Sequence, residues 1–203
     1  NGGRVGRVGR TVDAGQELAV LDPTRVESQR SESQSRRIAL RAAIARAQAE
    51  AGGTALNFPK DVLAARDVVQ GETDSYRARQ RVLAEAAAAT RSNLELLQRE
   101  LGVAESMSAK GLMSEVEVMR VRRQMNDLNL QTQERVNRFR QEASADLVRV
   151  RNELAQQEEQ MVVRDDALRR TTLVSPVRGV IKQIKANTLG GVIAAGAPVM
   201  EIL

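Results

Sequence analysis

The chain has 203 residues, a net charge of +5, and 42% hydrophobic but only 1% aromatic residues, with neither Cys nor His. The missing Cys and His exclude thiolate and imidazole chemistry and most zinc or copper sites. The scarcity of large rings (Phe58, Phe139 and Tyr76) argues against one thick globular core.

Residues 1–22 carry several Gly and closely spaced Val, which predicts short strands joined by tight turns. Asp22-Pro23-Thr24 then opens a helix, with Asp22 as cap and Pro23 at the first helical position. That helix is expected over 24–50. Its buried stripe is narrow (Ile38, Ala42, Ala45, Ala49), and Gly52-Gly53 stops it. Residues 54–59 read as a connector. Pro59 is expected to start a second helix over 60–108, with Gly71 as a point where it breaks.

From Tyr76 an apolar seam runs through Leu83, Ala86, Thr90, Leu94, Leu97, Leu101 and Ala104 at spacings of three and four after its first step. It stops at a turn over 109–114. Gly111 suits a left-handed closing position. Ser114, with Glu117 three residues on, forms a capping-box pattern for the next helix, expected over 114–170. The return helix carries Val118, Val121, Met125, Leu128, Thr132, Val136, Phe139, Ala143, Leu147, Val150, Leu154, Met161 and Leu168. A four-four step at Phe139-Ala143-Leu147 is a stutter. At 1.5 Å per residue the return helix spans about 85 Å, and the first helix plus the piece from Gly71 to Ser108 together about 95 Å. The lengths fit a hairpin whose outgoing side is jointed.

Residues 171–203 return to strand pattern, with Leu173-Val174, Gly179-Val180-Ile181, Gly190-Gly191-Val192-Ile193 and Val199-Met200-Glu201-Ile202 as candidates. This end repeats the pattern of the first. Val12-Asp13-Ala14-Gly15-Gln16-Glu17-Leu18 matches Ile193-Ala194-Ala195-Gly196-Ala197-Pro198-Val199. The upstream pair Gly3 and Val5 matches Gly179 and Val180-Ile181. The expectation is an α+β, mostly α chain. A small β-domain, made of residues 1–22 and 171–203, is cut in half, and a long antiparallel coiled-coil hairpin (23–170) is inserted at the cut. Strand pattern runs up to both ends, so a longer native protein is expected.

The basic residues are overwhelmingly Arg. A nucleic-acid or anionic-membrane surface is one reading of that excess. A solvated coil face is the stronger one, because acids are interleaved and stacking aromatics are missing. No stretch reaches about 18 apolar residues, the length of a membrane span, and no signal peptide is visible. Adjacent acids such as Glu158-Glu159 and Asp165-Asp166 point to different faces of a helix and read as solvated. No nucleotide loop or nucleophile arrangement is present.

The segment "RRTTLVSPVRGVIKQIKANTLGGVIAAGAPVMEIL" resembles the second half of the biotinyl-lipoyl-like domain of membrane fusion proteins, the periplasmic adaptors of the haemolysin-D kind. "GRTVDAGQELAVLDPTR" resembles the first half, and "SAKGLMSEVEVMRVRRQMNDL" is similar to the hairpin tip of adaptors serving type I secretion. The resemblance implies a small lipoyl-like β-sandwich whose turns lie at Gly15, Pro176, Gly179 and Gly196. It implies a non-enzymatic role bridging an inner-membrane ABC transporter to a TolC-like outer-membrane channel. It also implies a homo-oligomeric ring, six-membered in that resemblance, in the periplasm, with an inner-membrane anchor before residue 1 and a β-rich domain after residue 203.

On the same resemblance the hairpin tip docks the channel through Met107, Lys110, Gly111, Leu112, Met113, Ser114 and Glu117. The tip departs from the family pattern of Arg, then Leu four residues on, then Ser or Thr seven further. Ser114 fits, Met107 replaces Leu, and Val103 replaces Arg. A second departure is the shorter spacing from Gly3 to Gly15 than from Gly179 to Gly196, which leaves open a missing loop near residues 5–11 or no strand over 1–9. The tip residues also suit a plain helix–helix turn, but Leu112 and Met113 are apolar at an expected apex, which favours docking. A lipoyl-like domain raises the question of a modified lysine. Lys182 and Lys185 lie in strand pattern and read as solvated surface, so no cofactor is expected. Rival functions are an adaptor for drug or small-molecule efflux, an Arg-rich coiled coil that binds nucleic acid, and an enzymatic carrier.

Overall fold

The computed structural model describes residues 7–185, 193–194 and 196–203. The expected features at Gly3, Val5, Gly190, Gly191, Val192 and Ala195 lie outside the described residues. The chain is mostly helical with small antiparallel sheets, and it divides into two compact units. One comprises residues 1–36 and 156–203, the other residues 37–155.

In the first unit, strand β1 (Thr11–Val12) pairs with β4 (Gly179–Ile184), which pairs with β5 (Met200–Ile202). Strand β2 (Glu17–Val20) pairs with β3 (Thr172–Val174). All pairings are antiparallel, with Val12 opposite Gly179 and Val20 opposite Thr172. Segments from the two ends of the sequence therefore build one β unit. Its core is small: Val12, Leu18 and Ile181 are buried, with Ile184, Met200 and Ile202 packed against them. The two Ala-Gly patterns take the same backbone turn. Gly15 has φ +80° and Gly196 φ +81°. The flanking bonds match too, Gln16 N–H donating to Asp13 O and Ala197 N–H to Ala194 O. Residues 7–10 form a turn, with Gly9 N–H donating to Ile181 O.

Helix α1 (Thr24–Gly52) starts at the residue expected, but its cap shifts from Asp22 to Pro23. Glu27 N–H donates to Pro23 O, so Pro23 is the capping position. Asp22 still serves the helix end, its carboxylate accepting from the Thr24 N–H at 3.0 Å and the Thr24 hydroxyl at 2.6 Å. These two bonds hold the Asp22 carboxyl below its ordinary pKa. Near its start, α1 meets the end of α3 (Glu115–Arg169) through polar contacts: Arg30 to Asp165 at 2.6 Å and the Arg164 guanidinium to Gln29 O at 2.8 Å. Ser33 and Gln157 are buried together there.

In the second unit, α1 ends as expected. Gly53 turns left-handed at φ +63°, and Thr54 N–H reaches back to Ala49 O. The next helix corrects the sequence reading. Helix α2 spans Arg66–Ala109, so it does not begin at residue 60. Pro59 instead opens a single turn, its carbonyl accepting from the Val62 and Leu63 N–H groups. Val62 is fully buried and anchors the connector. Asp61 pairs with Arg41 at 2.8 Å, and the Tyr76 hydroxyl donates to Thr54 O at 3.0 Å. Gly71 does not break α2. It is exposed, and nothing lies near its missing Cβ. A helical Gly costs about 1 kcal/mol, a penalty that 44 residues of helix absorb.

The seam follows the spacing read from the sequence. Every α2 position assigned to it, from Tyr76 to Ala104, is buried or half-buried, as is every α3 position from Val118 to Leu168.

A polar junction forms a second centre of the 37–155 unit. Arg46 of α1 is nearly buried and donates to Glu50 at 3.1 Å, to Glu72 of α2 at 2.6 Å and to Asp146 of α3 at 3.1 Å. Glu50 is fully buried and also faces Arg79 at 3.5 Å. The Arg79 guanidinium lies 5.3 Å from the centre of the Phe139 ring. Burial pushes the Asp146 carboxyl up, but hydrogen bonds from Arg149 and Arg46 outweigh it and leave it below its ordinary pKa. Burial likewise opposes the charged Arg46, and the bonds to Glu72 and Asp146 overcome that, raising its pKa.

Candidate functional site

Among the described residues no group of acids could hold a metal ion, and no helix is long and apolar enough to cross a membrane. The feature that stands out is the turn between α2 and α3. Helix α2 closes with a paired backbone motif: Leu112 N–H donates to Met107 O at 2.9 Å and Gly111 N–H to Ser108 O at 2.9 Å. Gly111 sits at φ +70°, the left-handed position this motif needs. On the far side, Ser114 starts α3. Its Oγ accepts from the Val116 N–H at 3.2 Å, and its carbonyl accepts from Glu117 N–H at 3.0 Å. The capping box is half made. The Glu117 carboxylate turns to Arg120 at 2.9 Å instead of back to Ser114. Across the turn Arg122 pairs with Glu105 at 2.6 Å, which brings the end of α2 beside the start of α3.

This turn is tightly made yet apolar outside. Leu112 is 69% exposed, Val116 69%, Val103 60% and Met119 56%. Met107 is more sheltered and Lys110 is open to solvent. Met113 differs from expectation. It is half-buried and lines a depression of about 240 Å³ with Val103, Ala104, Glu117, Arg120 and Val121. Leu112 is thus the projecting residue and Met113 part of the wall beside it. The expected set Met107, Lys110, Gly111, Leu112, Met113, Ser114 and Glu117 falls together at one turn. Sequence reasoning missed Val116 and Met119. The available signal was that neither fits the seam, Val116 lying two residues before Val118 and Met119 one after it.

The β-turn residues have separate structural duties. A Cβ on Gly179 would stand 2.4 Å from Leu203 O and 2.6 Å from a methyl of Ile202, so only glycine fits between β4 and β5. Gly15 N–H donates to Ser175 O, and the Ser175 hydroxyl donates to Val177 O across Pro176. Lys182 is half exposed and pairs with Glu201 at 3.3 Å, and Lys185 is exposed.

No family model and no curated protein matches this sequence. Solved structures do. The soluble domain of LipC, a membrane fusion protein of a type I secretion system, matches with a TM-score of 0.73 at 18% identity, over 100% of this chain and 96% of that one. The periplasmic adaptor protein EmrA matches with a TM-score of 0.51 at 17% identity, over 98% of this chain and 67% of that one. The chain therefore has the fold of membrane fusion protein domains.

Proposed function

We propose that this chain is the helical and lipoyl-like part of a periplasmic adaptor in a type I secretion machine, linking an inner-membrane ABC exporter to a TolC-like outer-membrane channel. In this reading α2 and α3 form a coiled-coil hairpin inserted in a small β-sandwich, and the Ala109–Ser114 turn is the docking tip. The role is geometric and not catalytic. An apolar tip on a stiff backbone motif offers a preformed surface and loses little conformational freedom on binding. The observation that carries the reading is the whole-chain likeness to the LipC domain together with Leu112 projecting from the turn. The weaker likeness to EmrA keeps an efflux adaptor as the second reading. A nucleic-acid coil is disfavoured by the acids that engage Arg30, Arg41, Arg46, Arg79, Arg122 and Arg149. The test is Leu112→Asp in cells carrying the full export machine. Export should be lost while the helical signal and thermal midpoint stay unchanged. Normal export by a stably expressed variant refutes the tip assignment.

A further inference from the structure

The depression beside the α2–α3 turn is a hole next to a knob. Ala104 and Val121 are buried and form its floor, while Val103 and Met113 stand at its sides. The space has a local cause. Ala104 follows Leu94, Leu97 and Leu101 in the seam, and its single methyl leaves room that another leucine would fill. The volume of about 240 Å³ lies below the range of small-molecule sites, about 300–1,000 Å³. It suits one apolar side chain, as an interface pocket seats an anchor residue.

The rim is charged unevenly. Glu100, Glu117 and Arg120 line it. Glu117 and Arg120 close on each other at 2.9 Å, and nearby Glu105 closes on Arg122 at 2.6 Å. Neither of these tip ion pairs uses Glu100, which is exposed. Three and four positions from it on α2 stand Leu96, Leu97, Val103 and Ala104, so its own helix offers no cation. Val103 is also where the tip departs from the adaptor pattern of Arg. An Arg there would stand three residues from Glu100 and answer it. Val103 instead keeps the side of the hole apolar and leaves the acid for another molecule.

We propose that this depression seats one apolar side chain of the outer-membrane channel, and that a Lys or Arg beside that side chain on the channel pairs with Glu100. This rests on the docking reading given above and adds the chemistry of the surface that the tip selects. Leu112 is the knob that the turn inserts, and the depression is the hole that it offers in return. The apolar walls reject a charged occupant, and Glu100 rejects an acid beside it, so the two features discriminate between channels.

The test uses the full-length protein in cells with the complete export machine. Val103→Trp fills the depression from an exposed position. It should cut export about ten-fold or more, the scale of losing one interface anchor. Val103→Ala leaves the depression open and should export within about two-fold of the parent, on the scale of a surface substitution. Glu100→Lys should also cut export about ten-fold or more. All three should keep the parent's helical signal and thermal midpoint. Selection for restored export in the Glu100→Lys cells should return channel variants in which a Lys or Arg has become Asp or Glu. Normal export by Val103→Trp or by Glu100→Lys overturns the proposal, as does equal loss from Val103→Ala, or suppressors that never alter a basic residue of the channel. Leu112→Asp run alongside separates this from docking itself. If it blocks export while Val103→Trp and Glu100→Lys export normally, the turn docks without the depression and only this proposal falls. If Leu112→Asp also exports normally, the docking reading falls with it.

Discussion

The Arg46 junction and the Gly111 turn use side chains in opposite ways. At the junction three helices surround charged groups, and Glu50 is fully buried. At the turn the backbone is closed by its own hydrogen bonds while Leu112, Val116 and Val103 face outward. Buried charge held by opposite charge favours the helix pairing that provides it, because another pairing strands an ion. Exposed apolar area contributes nothing to the fold's own stability. The first region ties three helices of the chain together, and the second, on the proposed reading, is the surface that meets a partner.

Four changes sharpen this contrast. The largest effect is expected from Leu112→Asp, which should remove export altogether and change stability by no more than the scatter of surface substitutions, about 0.5 kcal/mol. Arg46→Ala should do the reverse in kind. It leaves Glu50, Glu72 and Asp146 facing one another and should lower stability by about 3–5 kcal/mol in denaturant titration. Gly179→Ala pushes a Cβ into the backbone of the last strand and should cost about 1–3 kcal/mol, visible as a lower melting midpoint. Gly111→Ala is milder. It forces a left-handed alanine worth about 1–2 kcal/mol, and weakened docking beyond that loss would show that turn geometry matters to the partner.

The smallest effect is in the acid range. The folded Asp146 pKa is depressed, so its contribution is present above the unfolded value near 3.9 and is lost as pH falls through the folded value. Stability should fall with acidification below about pH 4, and Asp146→Asn should flatten that slope.

Most of the scaffold could be read from the residues because its information is periodic. The seam from Tyr76 to Ala104 and from Val118 to Leu168 obeys three-four spacing, and burial follows it position by position. The left-handed glycines at 15, 53, 111 and 196 were marked by local pattern. Three features were hidden for physical reasons. Pro59 fits a helix start, but its turn closes at once because Val62 is drawn into the interior. Gly71 fits a break, but a 44-residue helix absorbs its penalty of about 1 kcal/mol. Arg46 and Glu50 fit a solvated face. Only the arrival of Glu72, Arg79 and Asp146 from elsewhere in the chain makes their burial tolerable, and no local pattern announces that. At the turn, the exposed Leu112 was legible from its place between Gly111 and Ser114, whereas the inward lean of Met113 depends on the wall formed by Val103 and Val121.

The most direct test places a photo-reactive amino acid at Leu112 of the full-length protein in cells with the complete export machine, with Lys182 as the control position. The account predicts an adduct between residue 112 and the outer-membrane channel and none from residue 182. An equally strong channel adduct from residue 182, or none from residue 112 while export proceeds, contradicts it.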